Sequence, residues 1–227
     1  MLRRLLPVFL LSLPLTAMAG PAEDLFRAIG RDDIGAIEML LLRGLSPNVS
    51  DPARGPALVH AAREGSIAAV RALLISPATQ IDAPNAEGET ALMVAAGAGN
   101  LEIVKLLVAR KAQVNRTGWT PLHYAAGNGH REVVEYLLEQ SAYIDAASEN
   151  GTTPLMLAAR QMKITVARLL VAEGADPTLR NQAGLDAAGY FERLGETGHA
   201  DWMRAESQAF RRRNGLPAAP AERDPRR

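Results

Sequence analysis

An all-α solenoid of stacked helix-turn-helix units is the architecture this sequence predicts, on three observations. A leucine that follows a turn and precedes alanine at helical spacing recurs at Leu25, Leu58, Leu92, Leu122 and Leu155, in steps of 33, 34, 30 and 33 residues. A period near 33 marks one supersecondary unit repeated along the chain. Aromatic residues make up only 4% of the chain while alanine is abundant, which suits thin helices packed closely rather than a thick core. The helices implied by each unit fall short of the ~12 residues at which an isolated helix becomes marginal, so each borrows stability from its neighbour.

The first 19 residues read as an export signal. Arg3 and Arg4 give a positive start, Leu5 to Leu15 an apolar run, and Ala17-Met18-Ala19 a small-residue cleavage site. As a helix that run spans about 16 Å against a bilayer core of ~30 Å, which predicts cleavage and release rather than a permanent membrane span. The paired arginines also raise a twin-arginine address. The chain has no cysteine, which excludes a lipid anchor at the cleavage site, disulfides, thiolate nucleophiles and cysteine metal sites. The bacterial periplasm fits this combination. A eukaryotic secreted reading stays open, because Asn48, Asn115 and Asn150 each begin an Asn-X-Ser/Thr triplet.

The units follow in order across residues 20–210. The first, at Leu25, lacks a Thr-Pro helix start, and Asp32-Asp33 fall at its inter-helix corner, where acidic groups favour the next helix start. Leu58 follows Pro56-Ala57, so this unit is also degenerate and both are partly capping. At Leu92 the pattern becomes regular, with Gly88-Glu89-Thr90-Ala91 opening an inner helix and Gly97-Ala98-Gly99 forming the corner. In the Leu122 unit, Thr120 caps the inner helix and Pro121 occupies its first turn, where a missing N–H costs nothing. Its outer helix carries an apolar stripe of Val133, Val134, Leu137 and Leu138 opposite Arg131, Glu132, Glu135 and Glu139. The Leu155 unit starts with Thr153-Pro154, and Met162-Lys163 stand at its corner.

A C-terminal cap begins at Leu185, with Tyr190, Phe191, Trp202 and Phe210 covering the last open interface. Residues 211–227 read as a disordered, Arg-rich tail without apolar periodicity. The tail holds six arginines against Glu222 and Asp224, leaving residues 20–210 with a net charge near −6. An acidic body with a basic tail is not the footprint of a nucleic-acid binder.

Catalytic chemistry finds no support. HExxH, GxxxxGK[ST] and GxSxG runs are absent, and the four histidines each fall on a different repeat or element, so no cofactor or metal is expected and the chain reads as no enzyme. Gly97-Ala98-Gly99 follows a helix rather than a strand, which removes a dinucleotide reading.

The Leu122 unit, with Gly118-Trp119-Thr120-Pro121-Leu122-His123 and Gly129-His130-Arg131-Glu132-Val133-Val134, resembles the ankyrin repeat family. So do Gly88 to Leu92 with Gly99 to Val104, and Gly151 to Leu155 with Glu173 to Pro177, and the resemblance covers roughly residues 22–210. It implies about four repeats after the degenerate N-terminal unit, joined by short β-hairpin-like fingers. The spacing from Val114 to Thr120 is six positions against nine for Ile81 to Thr90 and Ile144 to Thr153, so one finger is three residues short. By resemblance, His123 and His130 tie turns to helix starts, and His60 and His199 are structural too.

The resemblance also implies a concave surface that binds a protein partner. Its residues here are Arg63, Glu64, Asn128, Arg160 and Gln161 at inner-helix ends and Glu87, Glu89, Glu149 and Thr152 on fingers, around an exposed Trp119 as anchor. The expected function is a monomeric interaction module of the bacterial envelope, similar to exported family members associated with stress defence. Two alternatives stay open: an immunity-type inhibitor of an envelope-directed toxin, and a polyanion or membrane adaptor acting through the basic tail.

Overall fold

The computed structural model describes residues 20–217; the expected export signal over residues 1–19 and the tail beyond Pro217 lie outside the described residues. The described residues form six helix pairs: α1 (Pro21–Gly30) with α2 (Ile34–Leu42), α3 (Ala57–Glu64) with α4 (Ile67–Ile75), and α5 (Ala91–Ala98) with α6 (Leu101–Ala109). Then come α7 (Pro121–Asn128) with α8 (Arg131–Glu139), α9 (Pro154–Arg160) with α10 (Ile164–Ala172), and α11 (Ala187–Arg193) with α12 (Thr197–Arg213). The odd-numbered helices form an inner row in which each touches the next, and α2, α4, α6, α8 and α10 form an outer row.

The five periodic leucines are 0–3% exposed, and Ala61, Ala62, Ala95, Ala96, Ala125, Ala126, Ala158 and Ala159 are fully buried. Alanine at these contacts lets adjacent inner helices approach closely. The outer row adds Ile37, Val70, Leu73, Ile103, Leu107, Val133, Leu137, Val166 and Leu170 to the same continuous core. Burying one such side chain contributes about 1.5–3 kcal/mol, and no pair could do this alone.

Each pair is stopped and restarted locally. Gly65, Gly99 and Gly129 close α3, α5 and α7 in the left-handed conformation, and Ser66 and Asn100 then cap α4 and α6 by accepting from Ala69 N–H and Ile103 N–H, both at 3.1 Å. Asp32 and Met162 hold the same left-handed turn at φ 53° and 55°, although neither is glycine. Asp32 is stabilised there by a hydrogen bond with the Ser66 hydroxyl, while Asp33 caps α2 through Ala36 N–H at 3.0 Å. The acidic pair at this corner is therefore architectural.

A ladder of polar side chains ties successive units along the connecting segments. Asn48 donates to Ala78 O and accepts from Gln80 N–H, both at 2.8 Å. Asp82 accepts from Gln113 N–H at 2.9 Å, Asn115 spans Ser141 O and Tyr143 N–H at 2.8 Å each, and Asp145 accepts from Asp176 N–H at 3.0 Å. Burial pushes the Asp145 carboxyl above its ordinary range. Asn48 and Asn115 thus have a structural use.

The fingers divide as their lengths foretell. The first is a two-stranded antiparallel sheet of β1 (Ser50–Asp51) and β2 (Gly55–Pro56). Three later ones close through Asn85 N–H to Glu89 O at 2.9 Å, Ser148 N–H to Thr152 O at 3.0 Å and Asn181 N–H to Leu185 O at 3.0 Å. Among the described residues no backbone bond closes residues 113–119, the short finger.

At the C-terminus, Phe191 is fully buried and Trp202 half-buried, with Arg168 of α10 stacked 4.5 Å above the indole ring. One expectation is corrected here: Arg211, Arg212 and Arg213 belong to the last turn of α12, not to a structureless tail. Cations there face the negative end of the helix, and Leu216 N–H to Arg211 O at 2.9 Å closes the turn. No helix among the described residues is long and apolar enough to cross a membrane.

Candidate partner-binding cavity

Trp119 stands at the end of the short finger, where the finger leads into α7. Between this finger and α9 lies a cavity of about 230 Å³ lined by Trp119, His123, Tyr124, Gly127, Asn128, Leu157 and Gln161. Trp119 is half-buried rather than freely exposed, which corrects its expected setting: its ring meets His123 and Tyr124 edge-on, with centroids 5.3 and 6.3 Å apart. It is a wall of the cavity.

The floor depends on two glycines. A Cβ at Gly127 would come within 2.8 Å of Leu157 Cδ2, and one at Gly97 within 3.3 Å of Tyr124 Cδ1. Their absence lets Leu157 and Tyr124 lie back against the preceding inner helix. Asn128 donates to Gly97 O at 2.7 Å, and His130 Nε2–H donates to the same carbonyl at 2.9 Å.

His123 is buried and its tautomer follows from its partners. Its Nδ1 accepts from Thr120 N–H at 3.2 Å and lies 2.9 Å from the Thr120 hydroxyl, while Nε2 lies 2.9 Å from the Thr152 carbonyl, which can only accept. The ring is therefore neutral with its proton on Nε2, and burial lowers its pKa. The Tyr124 hydroxyl is pushed up to about 12, first by burial and then by the neighbouring Glu89 carboxylate.

The ten expected contact residues do not all meet. Trp119, Asn128 and Gln161 share the cavity, with Arg160 exposed one residue before Gln161. Arg63 and Glu89 form an ion pair at 3.3 Å, and Glu89 also accepts from Asn85 Nδ2 at 2.9 Å, so both are partly committed to the scaffold. Glu64 lies 3.8 Å from His60, and Glu87 is exposed on its finger tip. The exposed Glu149 abuts Gly118, where a Cβ would collide with its carboxylate. Thr152 is corrected: the residue is 2% exposed, and its backbone carbonyl serves His123. It holds the finger and presents nothing to a partner.

Sequence reasoning missed Tyr124, Leu157 and Gly127. The signal was present, since His60, Val94, Tyr124 and Leu157 each stand two positions after a periodic leucine, a helical offset that faces away from the outer row. Among the described residues no group of three or more His, Asp or Glu could hold a metal ion.

Comparison with known proteins agrees with this architecture. The family model for ankyrin repeats, in three copies, matches residues 25–117 and 113–181. The chain is 36% identical over 182 residues to the nuclear factor NF-kappa-B p105 subunit of Mus musculus, covering 73% of this chain and 19% of that protein. It is 34% identical over 168 residues to an ankyrin repeat-containing protein of Treponema pallidum (strain Nichols), covering 74% and 46%. With ankyrin repeat and SAM domain-containing protein 6 of Danio rerio it shares 36% identity over 75 residues, 33% of this chain and 10% of that one. The chain spans less than half the length of each of these relatives. With its repeats matched in phase over most of the described residues, the chain belongs to the ankyrin repeat family.

Proposed function

We propose that this protein is a non-enzymatic binding module of the bacterial periplasm that grips a partner protein through the cavity beside Trp119. Ankyrin repeats generally mediate protein–protein interaction. The observation that carries the reading for this chain is the convergence of Trp119, Tyr124 and Leu157 with Asn128 and Gln161 in one cavity beside the short finger. An aromatic anchor with polar groups at its rim is the usual composition of a binding hot spot. Export is supported by Arg3-Arg4, the Leu5 to Leu15 run and Ala17-Met18-Ala19.

The test is affinity capture from periplasmic extract with wild type, Trp119→Ala and Gln161→Arg, each first shown to melt cooperatively. Glu89 is left intact because it anchors Arg63 and Asn85. Gln161 is exposed, so the arginine obstructs the rim without entering the core. Both variants are expected to lose the partner that wild type retains. An unchanged capture profile would clear the cavity of involvement, and recovery of the processed protein outside the periplasmic fraction would overturn the location.

A further inference from the structure

Resting on that reading of the cavity, we infer that its occupant is a basic side chain of the partner, an arginine in preference to a lysine, held against the Trp119 and Tyr124 rings on the side of the Glu149 carboxylate. At about 230 Å³ the cavity is smaller than the 300–1,000 Å³ typical of drug-sized ligands, so it admits one long side chain rather than a free metabolite. Its walls are two aromatic rings at 74° to each other with Leu157 at the base, surfaces on which a cation with an aliphatic stem is stabilised by both stacking and apolar contact.

Charge selects the sign of the occupant. No charged residue lines the cavity, and His123 is neutral because its Nδ1 accepts from Thr120 N–H. The charges bearing on Tyr124 are the Glu89 and Glu149 carboxylates and Arg116. Arg116 directs its guanidinium at Gly88 O, 3.5 Å away, and at Met93 Sδ, 3.8 Å away. Glu149 has no ion pair among the described residues, and its carboxylate sits against Gly118, the neighbour of Trp119. Arg160 stands outside the lining. Glu89 is offset by its ion pair with Arg63 and Arg116 is hydrogen-bonded to Gly88 O, so Glu149 is the charge near Tyr124 left with neither kind of partner, and a cation gains that carboxylate. Asn128 adds an acceptor: its amide nitrogen is committed to Gly97 O, leaving its carbonyl oxygen available. A planar guanidinium, with several donors and a face that stacks on rings, uses these groups better than an ammonium.

The chain has two tryptophans, Trp119 in the cavity and Trp202 at the C-terminal cap, so the two indole N–H signals of a ¹⁵N-labelled sample give a site and an internal control. The full exported chain is titrated with oligo-arginine, oligo-lysine and oligo-glutamate peptides. The Trp119 signal is expected to move with oligo-arginine at the lowest concentration, to move later with oligo-lysine, and to ignore oligo-glutamate, while Trp202 stays still. Glu149→Gln is expected to raise the half-saturating oligo-arginine concentration about tenfold, the loss of one charge-assisted contact. A stationary Trp119 signal, equal movement of both tryptophans, or an unchanged titration in Glu149→Gln would overturn the inference. Failure of the underlying reading is separable: if periplasmic capture remains sensitive to Gln161→Arg while Trp119 ignores arginine, the interface stands and only its basic occupant falls.

Discussion

His123 of α7 donates its Nε2–H to the carbonyl of Thr152 across 2.9 Å, joining one repeat to the finger of the next. Its other ring nitrogen accepts from Thr120 N–H at 3.2 Å, so a single buried imidazole satisfies backbone groups of two units. Replacing it with alanine leaves both groups without that partner. His123→Ala is expected to cost about 1–3 kcal/mol for each group left unsatisfied in the interior, read as a lowered midpoint in urea denaturation. An unchanged midpoint would show that the bond adds nothing to stability.

Acid should weaken the same joint. Burial lowers the His123 pKa from 6.5 in the folded state, so the unfolded chain binds the proton more readily. Its contribution is fully present above pH 6.5 and is lost as pH falls through the lower folded-state value. His60 is also shifted downward by burial and acts in the same direction. Stability measured from pH 7.5 to 5 is therefore expected to decline in wild type and to decline less steeply in His123→Gln, with the His60 contribution remaining in both. Equal slopes would contradict a neutral buried His123.

Leu122 and Leu137 are 1% and 0% exposed, on the inner and outer rows of one repeat. Leu122→Ala or Leu137→Ala should cost about 2–5 kcal/mol, the usual penalty for a truncated core leucine and the cavity it leaves. Chemical denaturation measures this directly. A loss under about 0.5 kcal/mol, the range of ordinary surface substitutions, would place these residues wrongly.

The outer row also carries apolar residues that no neighbour covers. Leu42 on α2 is 87% exposed and Ile75 on α4 is 73% exposed. Leu42→Gln and Ile75→Gln are expected to stay within about 0.5 kcal/mol of wild type while reducing binding of a hydrophobic dye. A large destabilisation by either would mean that this face is buried in the folded protein.

Two glycines separate backbone strain from side-chain collision. Gly44 and Gly99 both sit at positive φ, 92° and 73°, so alanine at either carries the left-handed penalty of about 1–2 kcal/mol. At Gly44 a Cβ would meet nothing within 4 Å, whereas at Gly99 it would run into the His130 ring. Moving that ring breaks its hydrogen bond to Gly97 O. Gly99→Ala is therefore expected to exceed Gly44→Ala by about 1 kcal/mol in thermal or urea unfolding. Equal losses would show that His130 yields freely.

The sequence was legible wherever the signal was local and periodic. The Thr-Pro start at Thr120 and the glycine corner at Gly129 depend on residues within one unit, while the leucine spacing and the shortened finger are read from repetition along the chain, and each has its counterpart in the structure. Helix start and stop chemistry works over a few residues, so it can be read in order along the chain. What lies between units was not legible in the same way. The ladder from Asn48 to Asp145 pairs side chains with backbone groups some 26 to 32 residues away.

The candidate site shows the same division. Trp119, Asn128 and Gln161 could be named from their positions in a repeat, but their convergence required stacking of two successive inner helices, α7 and α9. Thr152 looked like a finger residue open to solvent, yet it is buried and its carbonyl accepts the hydrogen bond from His123. By itself the sequence determined a repeating, mutually supported helical wall without cysteine chemistry, because periodic burial and missing residue types are properties of the linear chain. Only the tertiary structure decided which side chains line the cavity and which are spent holding it, because exposure, ion pairing and tautomer depend on neighbours that stacking brings together.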